Sequence, residues 1–197
     1  MTAALTQKQI TVEEYLDFDE QSPEKNEFVN GRIVNMAGAM PDHGAISINI
    51  GGELRSCLKK TFCIVYGPDL RVRIGSYTEY VYPDLTIGCG KPLLDKRRKP
   101  YTLLNPIMIV EVLSPSTQNY DLTEKAQLYR EQDTIQEILF VSPDEIYVLH
   151  YSRCNDTTWT ETTHLAMSDV VTLPSLGCKL PLDEIYLNIV FEAEEGD

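Results

Sequence analysis

The sequence predicts one domain of mixed α/β (α+β) class, and three observations lead there. The chain has 197 residues, enough for one well-formed core and short for two. Segments with strand periodicity are interleaved with segments of helical periodicity rather than segregated from them. No internal repeat and no Gly-, Ser- or Pro-rich linker interrupts the series. A single body over residues 1–191 is therefore expected, followed by an acidic, disordered tail over 192–197 that contains Glu192, Glu194, Glu195 and Asp197.

Each element has its own local reason. Thr11-Val12-Glu13-Glu14 reads as a capping box, which opens a short helix through Tyr15, Leu16 and Phe18. In Glu27-Phe28-Val29-Asn30-Gly31-Arg32-Ile33-Val34, the Asn-Gly pair between apolar residues signals a tight hairpin, because both residues tolerate positive φ. Asp42 is placed to cap a second helix, with Ile46, Ile50, Leu54 and Leu58 on one face. The alternation of Ile46, Ile48 and Ile50 and the Gly51-Gly52 pair leave a strand open as the other reading. Leu70-Arg71-Val72-Arg73-Ile74 alternates strictly, so it reads as a half-buried strand with both arginines on one face.

Two apolar strands come next, Val81-Tyr82-Pro83-Asp84-Leu85-Thr86-Ile87 and Ile107-Met108-Ile109-Val110-Glu111-Val112-Leu113. A helix is expected from near Asp121 through Arg130, with Glu124 as capping partner. Glu137-Ile138-Leu139-Phe140-Val141 and Ile146-Tyr147-Val148-Leu149-His150-Tyr151 read as a strand pair around Ser142-Pro143-Asp144-Glu145. A strand around Trp159 to His164 and a short helix after Pro181 complete the series.

Composition excludes several classes. Hydrophobic content is 43% and charged content 24%, ordinary for a globular domain. No apolar run is long enough to span a bilayer and no signal peptide is apparent, so no membrane partner and a cytoplasmic location are expected. The five cysteines are scattered without a CxxC pair, so reduced thiols are expected rather than a zinc cluster or a disulfide framework. A net charge of −13 argues against a protein that coats nucleic acid electrostatically. Any such contact must come from a local basic patch, for which Lys96-Arg97-Arg98-Lys99 is the candidate; a solvated loop is the alternative reading of that run.

The two apolar strands each carry one acid, Asp84 and Glu111. A carboxylate among aliphatic neighbours is costly unless it is paired, protonated or bound to a cation. Strand alternation puts Glu111 on the face of Ile109 and Leu113, and if the strands are neighbours the two carboxylates converge. Two acids, a backbone carbonyl and waters suit Mg²⁺, a hard cation that keeps part of its water shell. Lys125 falls on the inward stripe of the next helix with Leu122, Ala126 and Tyr129. Its ammonium must meet acids or a substrate phosphate; a snorkelling stem or a structural ion pair with Glu111 is the competing reading.

The order Asp84, then Ile109-Val110-Glu111-Val112-Leu113-Ser114-Pro115-Ser116-Thr117, then Tyr120-Asp121 and Lys125 through Tyr129 resembles the Uma-two family, which is common in cyanobacteria and belongs to the PD-(D/E)XK nuclease superfamily. The resemblance extends over most of the chain and is most specific from Val110 to Tyr129. It implies a restriction-endonuclease-like core, a central mixed β-sheet flanked by α-helices, which hydrolyses phosphodiester bonds in DNA with Mg²⁺ (or Mn²⁺). It makes Asp84, Glu111 and the Val112 carbonyl metal ligands, Glu27 an additional acid near the metal, and His43 a residue lining the site. By its residues alone Glu27 reads equally as a surface acid on an edge strand. A homodimer is also implied, as nucleases of this fold often pair two sites across a duplex.

The superfamily's lysine two residues after the glutamate is Leu113 here, and Lys125 is its natural replacement. Ile138-Leu139-Phe140-Val141-Ser142 departs from a Tyr-Trp pair and an acid, which reads as a packing change. Beside the nuclease expectation stand two others: an inactive nuclease-fold protein acting as a binding or interaction module, and a metal-dependent hydrolase of small phosphate esters.

Overall fold

The capping box forms as read. In the computed structural model, which describes residues 10–36, 40–75 and 79–191, helix α1 spans Val12–Gln21. The Thr11 hydroxyl accepts the Glu14 amide at 3.2 Å and the Glu14 carboxylate accepts the Thr11 amide at 2.8 Å. The hairpin follows as β1 (Asn26–Val29) and β2 (Arg32–Asn35). Asn30 and Gly31 take φ of 52° and 73°, the left-handed pair that such a two-residue turn requires.

Helix α2 spans Pro41–Leu58, which decides between the two readings of that segment. Ile46, Ile50, Leu54 and Leu58 are buried on one side, whereas Ile48, which an alternating strand would have buried, is 76% exposed. The helix begins earlier than expected. Met40 is the N-cap and Pro41 the first helical residue, so Asp42 lies inside the first turn, where its charge complements the positive end of the dipole.

Seven short strands follow: β3 (Cys63–Tyr66), β4 (Arg71–Ile74), β5 (Glu79–Val81), β6 (Leu85–Cys89), β7 (Leu94–Asp95), β8 (Thr102–Leu103) and β9 (Met108–Val112). A helical stretch comprises α3 (Gln118–Tyr120), a π-turn (Asp121–Lys125) and α4 (Ala126–Glu131). Strands β10 (Glu137–Val141), β11 (Val148–Arg153) and β12 (Trp159–His164) precede a hairpin, β13 (Val170–Leu173) and β14 (Cys178–Pro181). Helix α5 (Leu182–Ile185) ends the series.

The fold is mixed α/β, but not one central sheet. Two six-stranded sheets run in the orders β2-β1-β5-β4-β8-β7 and β12-β11-β10-β9-β6-β3, with β13-β14 apart. Each is mixed, with one parallel pair, β4 with β8 and β9 with β10. The cause is local: the apolar run read as one strand over 81–87 is two. Pro83 has no amide hydrogen to donate to a ladder, so β5 ends at Val81 in the first sheet and β6 starts at Leu85 in the second.

The second sheet is covered on both faces. Val110 and Val112 pack with α2, α5 and the β13-β14 hairpin, while Ile109 and Leu113 pack with Ala126 and Tyr129. All five residues of β9 are therefore buried, Glu111 included. In the strand over 71–74 only Arg73 is partly exposed: Arg71 is 1% exposed and its guanidinium meets Asp19 of α1 at 2.7 Å.

The cysteines overturn the expectation of reduced thiols. Cys63 and Cys89 stand opposite each other on β3 and β6 and are disulfide-bonded, and Cys57, at the end of α2, is bonded to Cys178 on β14. Separations of 26 and 121 residues leave no local spacing signal, which is why the sequence concealed them. Cys154 is free and exposed. Among the described residues no helix is long and apolar enough to cross a membrane. The tail over 192–197 lies outside the described residues.

Candidate active site

Asp84 lies not within a strand but in the break between the two sheets, immediately before β6. The β6–β9 register pairs Leu85 with Val110, so the chain enters with Asp84 beside Glu111 and Val112. Its Oδ2 accepts the Val112 amide at 2.7 Å and lies 3.3 Å from His43 Nε2. His43 arrives from the first turn of α2, on the opposite side of the sheet from the π-turn helix. Burial opposes its protonation, yet its pKa is raised, because Asp84, the Glu111 charge and the Val112 backbone outweigh that cost. Three groups singled out in the sequence as candidate metal ligands thus act on one imidazole.

Glu111 projects from the other face of β9. Its Oε1 receives Lys125 Nζ at 2.9 Å and the Tyr129 hydroxyl. Glu27, on β1 of the other sheet, is 4% exposed, not a surface acid. Its Oε1 takes the Tyr82 amide at 3.0 Å and the same Lys125 Nζ at 3.0 Å. The ammonium therefore joins the first sheet to the second. Asp121 Oδ1 is 3.9 Å away, and its Oδ2 accepts the Thr117 hydroxyl at 2.6 Å.

The π-turn explains how Asp121 and Lys125 both turn inward. The helix starts at Gln118, not at Asp121, and the Ala126 amide reaches back five residues to the Asp121 carbonyl. Such a widened turn is a frequent device at functional sites. It buries Asp121, Lys125, Ala126 and Tyr129 while Glu124 stays exposed. Glu124 does not cap the helix; its Oε2 lies 3.4 Å from the Asn30 side-chain amide.

Three carboxylates, those of Glu27, Glu111 and Asp121, share one ammonium, and Asp84 stands beside them on His43 and the Val112 amide. Burial, above all, pushes Glu111 up to about 8; Lys125 pulls the other way, and Asp84, Asp121 and Glu27 add to the rise. Burial also raises Asp121. Lys125 is raised well above its ordinary value, since Glu111, Glu27 and Asp121 outweigh its own desolvation, and it stays charged. Asp84 Oδ1 and Glu111 Oε2 accept no hydrogen bond among the described residues. Nor, among those residues, do three His, Cys, Asp or Glu side chains form a ready-made metal cage. The donor set suits a hard cation held by two carboxylates and a carbonyl that keeps several waters.

The basic run is folded against acids. Arg97 pairs with Asp95 at 2.8 Å and Arg98 with Asp17 of α1 at 2.8 Å. The Lys99 amide donates to Glu20 at 3.2 Å, and Lys96 lies 5.7 Å from the centre of the Tyr101 ring. None of these contacts reaches the Lys125 cluster. Two residues of the cluster were read in the sequence without a role there, Asp121 as a cap and Tyr129 as a stripe residue. The four-residue spacing of Asp121, Lys125 and Tyr129 was the available signal.

Comparisons with known proteins now bear on this geometry. The fold matches that of a crystal structure described as "a putative nuclease belonging to DUF820" from Anabaena variabilis: the two match with a TM-score of 0.73 over 92% of this chain and 99% of that one, at 17% identity. Residues 12–183 match the Uma2 family, described as "Putative restriction endonuclease", and the chain belongs to that family. Two relatives come from Synechocystis sp. The uncharacterized protein slr1290 is 31% identical over 182 residues, 92% of this chain and 94% of its own length. The uncharacterized protein sll1609 is 31% identical over 159 residues, 81% and 89% respectively.

Proposed function

We propose that this protein is a Mg²⁺- (or Mn²⁺-) dependent endonuclease that hydrolyses phosphodiester bonds in DNA. The observation that carries the reading is the position of Lys125 Nζ, 2.9 Å from Glu111 and 3.0 Å from Glu27. In this reading the helix lysine, Lys125, takes the role of the strand lysine for which Leu113 stands here. Asp84, Glu111 and the Val112 carbonyl would hold the cation, and Glu27 is the further acid beside it. When bound, such a cation supplies Lewis-acid stabilisation of phosphate charge and a more acidic water.

The chain's own residues do the rest. Tyr129 and Lys125 fix the rotamer of Glu111 through Oε1 and leave Oε2 open. The Val112 amide and His43 do the same for Asp84 through Oδ2. The Lys125 ammonium has three donors, of which Glu27 and Glu111 take two. The third is available to orient an attacking water or to offset charge gathering on the phosphate. Lys96, Arg97, Arg98 and Lys99 would meet backbone phosphates only by exchanging their present partners.

One observation favours a second reading, an inactive nuclease-fold binding module. The same ammonium competes for the carboxylates that a cation needs, in a chain of net charge −13. Nicking of supercoiled plasmid with Mg²⁺ or Mn²⁺, compared across wild type, Glu111→Gln and Lys125→Ala, decides between them. The nuclease reading expects nicking by wild type alone. Calorimetry that finds Mg²⁺ binding abolished by Asp84→Ala, with no nicking by wild type, would favour the binding module.

A further inference from the structure

The second sheet ends on a strand, β3, with no charge and no proline over residues 61–66. Open amides and carbonyls on an edge template pairing, and such residues normally prevent it. The other edges have them or are very short. Glu161 and three threonines lie along β12, β2 begins with Arg32, and β7 is two residues long and ends in Asp95. On β3, by contrast, Phe62 just before the strand is 90% exposed and Ile64 is 42% exposed. The hydrogen bonds show which backbone groups are open. The Phe62 carbonyl accepts the Gly90 amide at 2.9 Å, so by antiparallel alternation Phe62, Ile64 and Tyr66 bond inward to β6. Cys63 and Val65 turn their backbone groups outward. The Thr61 hydroxyl accepts the Cys63 amide at 3.1 Å, while the Val65 amide and carbonyl have no partner among the described residues. The Cys63–Cys89 disulfide fastens the strand to β6.

We propose that β3 pairs antiparallel with β3 of a second copy of this chain, about a two-fold axis at Ile64, so that two sheets become one. The strand is self-complementary in this register. Ile64 meets the partner's Ile64, and Phe62 meets the partner's Tyr66, an aromatic cross-strand pair on the same face. These are the non-hydrogen-bonded positions, where opposed side chains stand closest. Cys63 and the partner's Val65 exchange both backbone bonds, and only the Cys63 amide changes its acceptor. At the ends, the exposed Lys59 and Lys60 of one copy come beside the partner's Asp69, which is 96% exposed and holds Lys25 at 3.1 Å. That self-match commits the edge to a second copy: one strand supplies both halves of every pair, apolar at the centre and oppositely charged at the ends. Such an isologous contact closes at two chains. It is independent of nuclease activity, unlike a dimer assembled by placing two sites across a duplex.

Sedimentation equilibrium of the full chain across the micromolar range should give twice the chain mass of 22.3 kDa. A monomer throughout overturns the proposal and leaves the edge to a different chain. Ile64→Lys sets two ammonium groups face to face on the axis and should weaken association on the order of a hundredfold. Because that variant could impair folding, Phe62→Ser supplies a second measure at a side chain that is 90% exposed. It should weaken association on the order of tenfold and leave the circular dichroism unchanged. Hydrogen exchange locates the contact: the Val65 amide should be protected in the dimer and released on dilution. A dimer of unaltered affinity in Phe62→Ser, or one whose Val65 amide exchanges as freely as in the diluted chain, uses another surface and overturns the proposal.

Discussion

Two of the places where charge is buried in this protein are built on different terms. Around Arg71 the network is closed. Its Nη1 meets Asp19 at 2.7 Å, Nε the Thr102 hydroxyl at 2.8 Å, and Nη2 the Pro100 carbonyl at 2.7 Å. Asp19 is completed by the Tyr82 hydroxyl at 2.5 Å and the Asn26 amide at 3.3 Å. One cation meets one anion, and neutral donors and acceptors fill the remainder. Around Lys125 three carboxylates share one ammonium, and carboxylate oxygens are left open. A satisfied network fixes α1 to the first sheet; an acid-rich, incompletely satisfied one leaves acceptors open, which is what the proposed cation site requires.

The largest effect follows from breaking the closed network. Arg71→Met leaves Asp19 buried without its cation and should cost about 3–5 kcal/mol in urea unfolding. Added Mg²⁺ should recover none of it. A loss below about 1 kcal/mol would show that the network is not what holds α1 in place.

The matching change at the open network should behave differently. Lys125→Met removes the ammonium shared by Glu27, Glu111 and Asp121, yet Glu111, already raised to about 8 by burial, can accept a proton at neutral pH. The expected cost is smaller, roughly 1–3 kcal/mol in a chelator, and Mg²⁺ should recover much of it. Mg²⁺ affinity measured by calorimetry should rise, because the competing cation has gone. Weaker binding would mean that Lys125 supports the site and does not compete for it.

The pH dependence of stability sharpens the contrast further. The folded state holds the Glu111 proton more tightly than the unfolded chain, whose value is near 4.5. Its contribution is therefore fully present below pH 4.5 and is lost as pH rises toward about 8. Without divalent cations, wild type should lose stability over that window, on the order of a few kcal/mol at most, and Glu111→Gln should flatten the curve. Identical curves would place the titration elsewhere.

The fold and the site were legible in the sequence to different depths. Local chemistry carried well: the Thr11 capping box, the Asn30-Gly31 turn and the four-residue spacing of α2 all formed. Glu111 and Lys125 were readable because a charge inside an apolar pattern is anomalous whatever the tertiary context. What failed was long-range. Pro83 divides one apolar run between two sheets, and only the three-dimensional path shows that Asp84 stands at the junction. The π-turn that brings Asp121 inward has no one-dimensional signature, because an α-helical period over 121–129 fits the same residues. The disulfides join cysteines that only the folded register brings together. Arg71 and Arg73 alternate as a solvent-facing pair would, and burial of Arg71 depends on Asp19, 52 residues away.

The smallest expected effect lies at the edge of the open network. His43 Nε2 is 3.3 Å from Asp84 Oδ2, and its pKa is raised. Its ion pair therefore contributes stability that is fully present below about pH 6.5 and fades as pH rises through the folded value. Protonated His43 is a second internal cation, and like Lys125 it competes for a carboxylate that a metal would use. Mg²⁺ affinity in wild type should thus drop on acidification more steeply than in His43→Asn, with a few-fold difference at pH 6 that closes at pH 8. Parallel pH profiles for the two proteins would confine competition to Lys125, and the open network would then have one internal cation, not two.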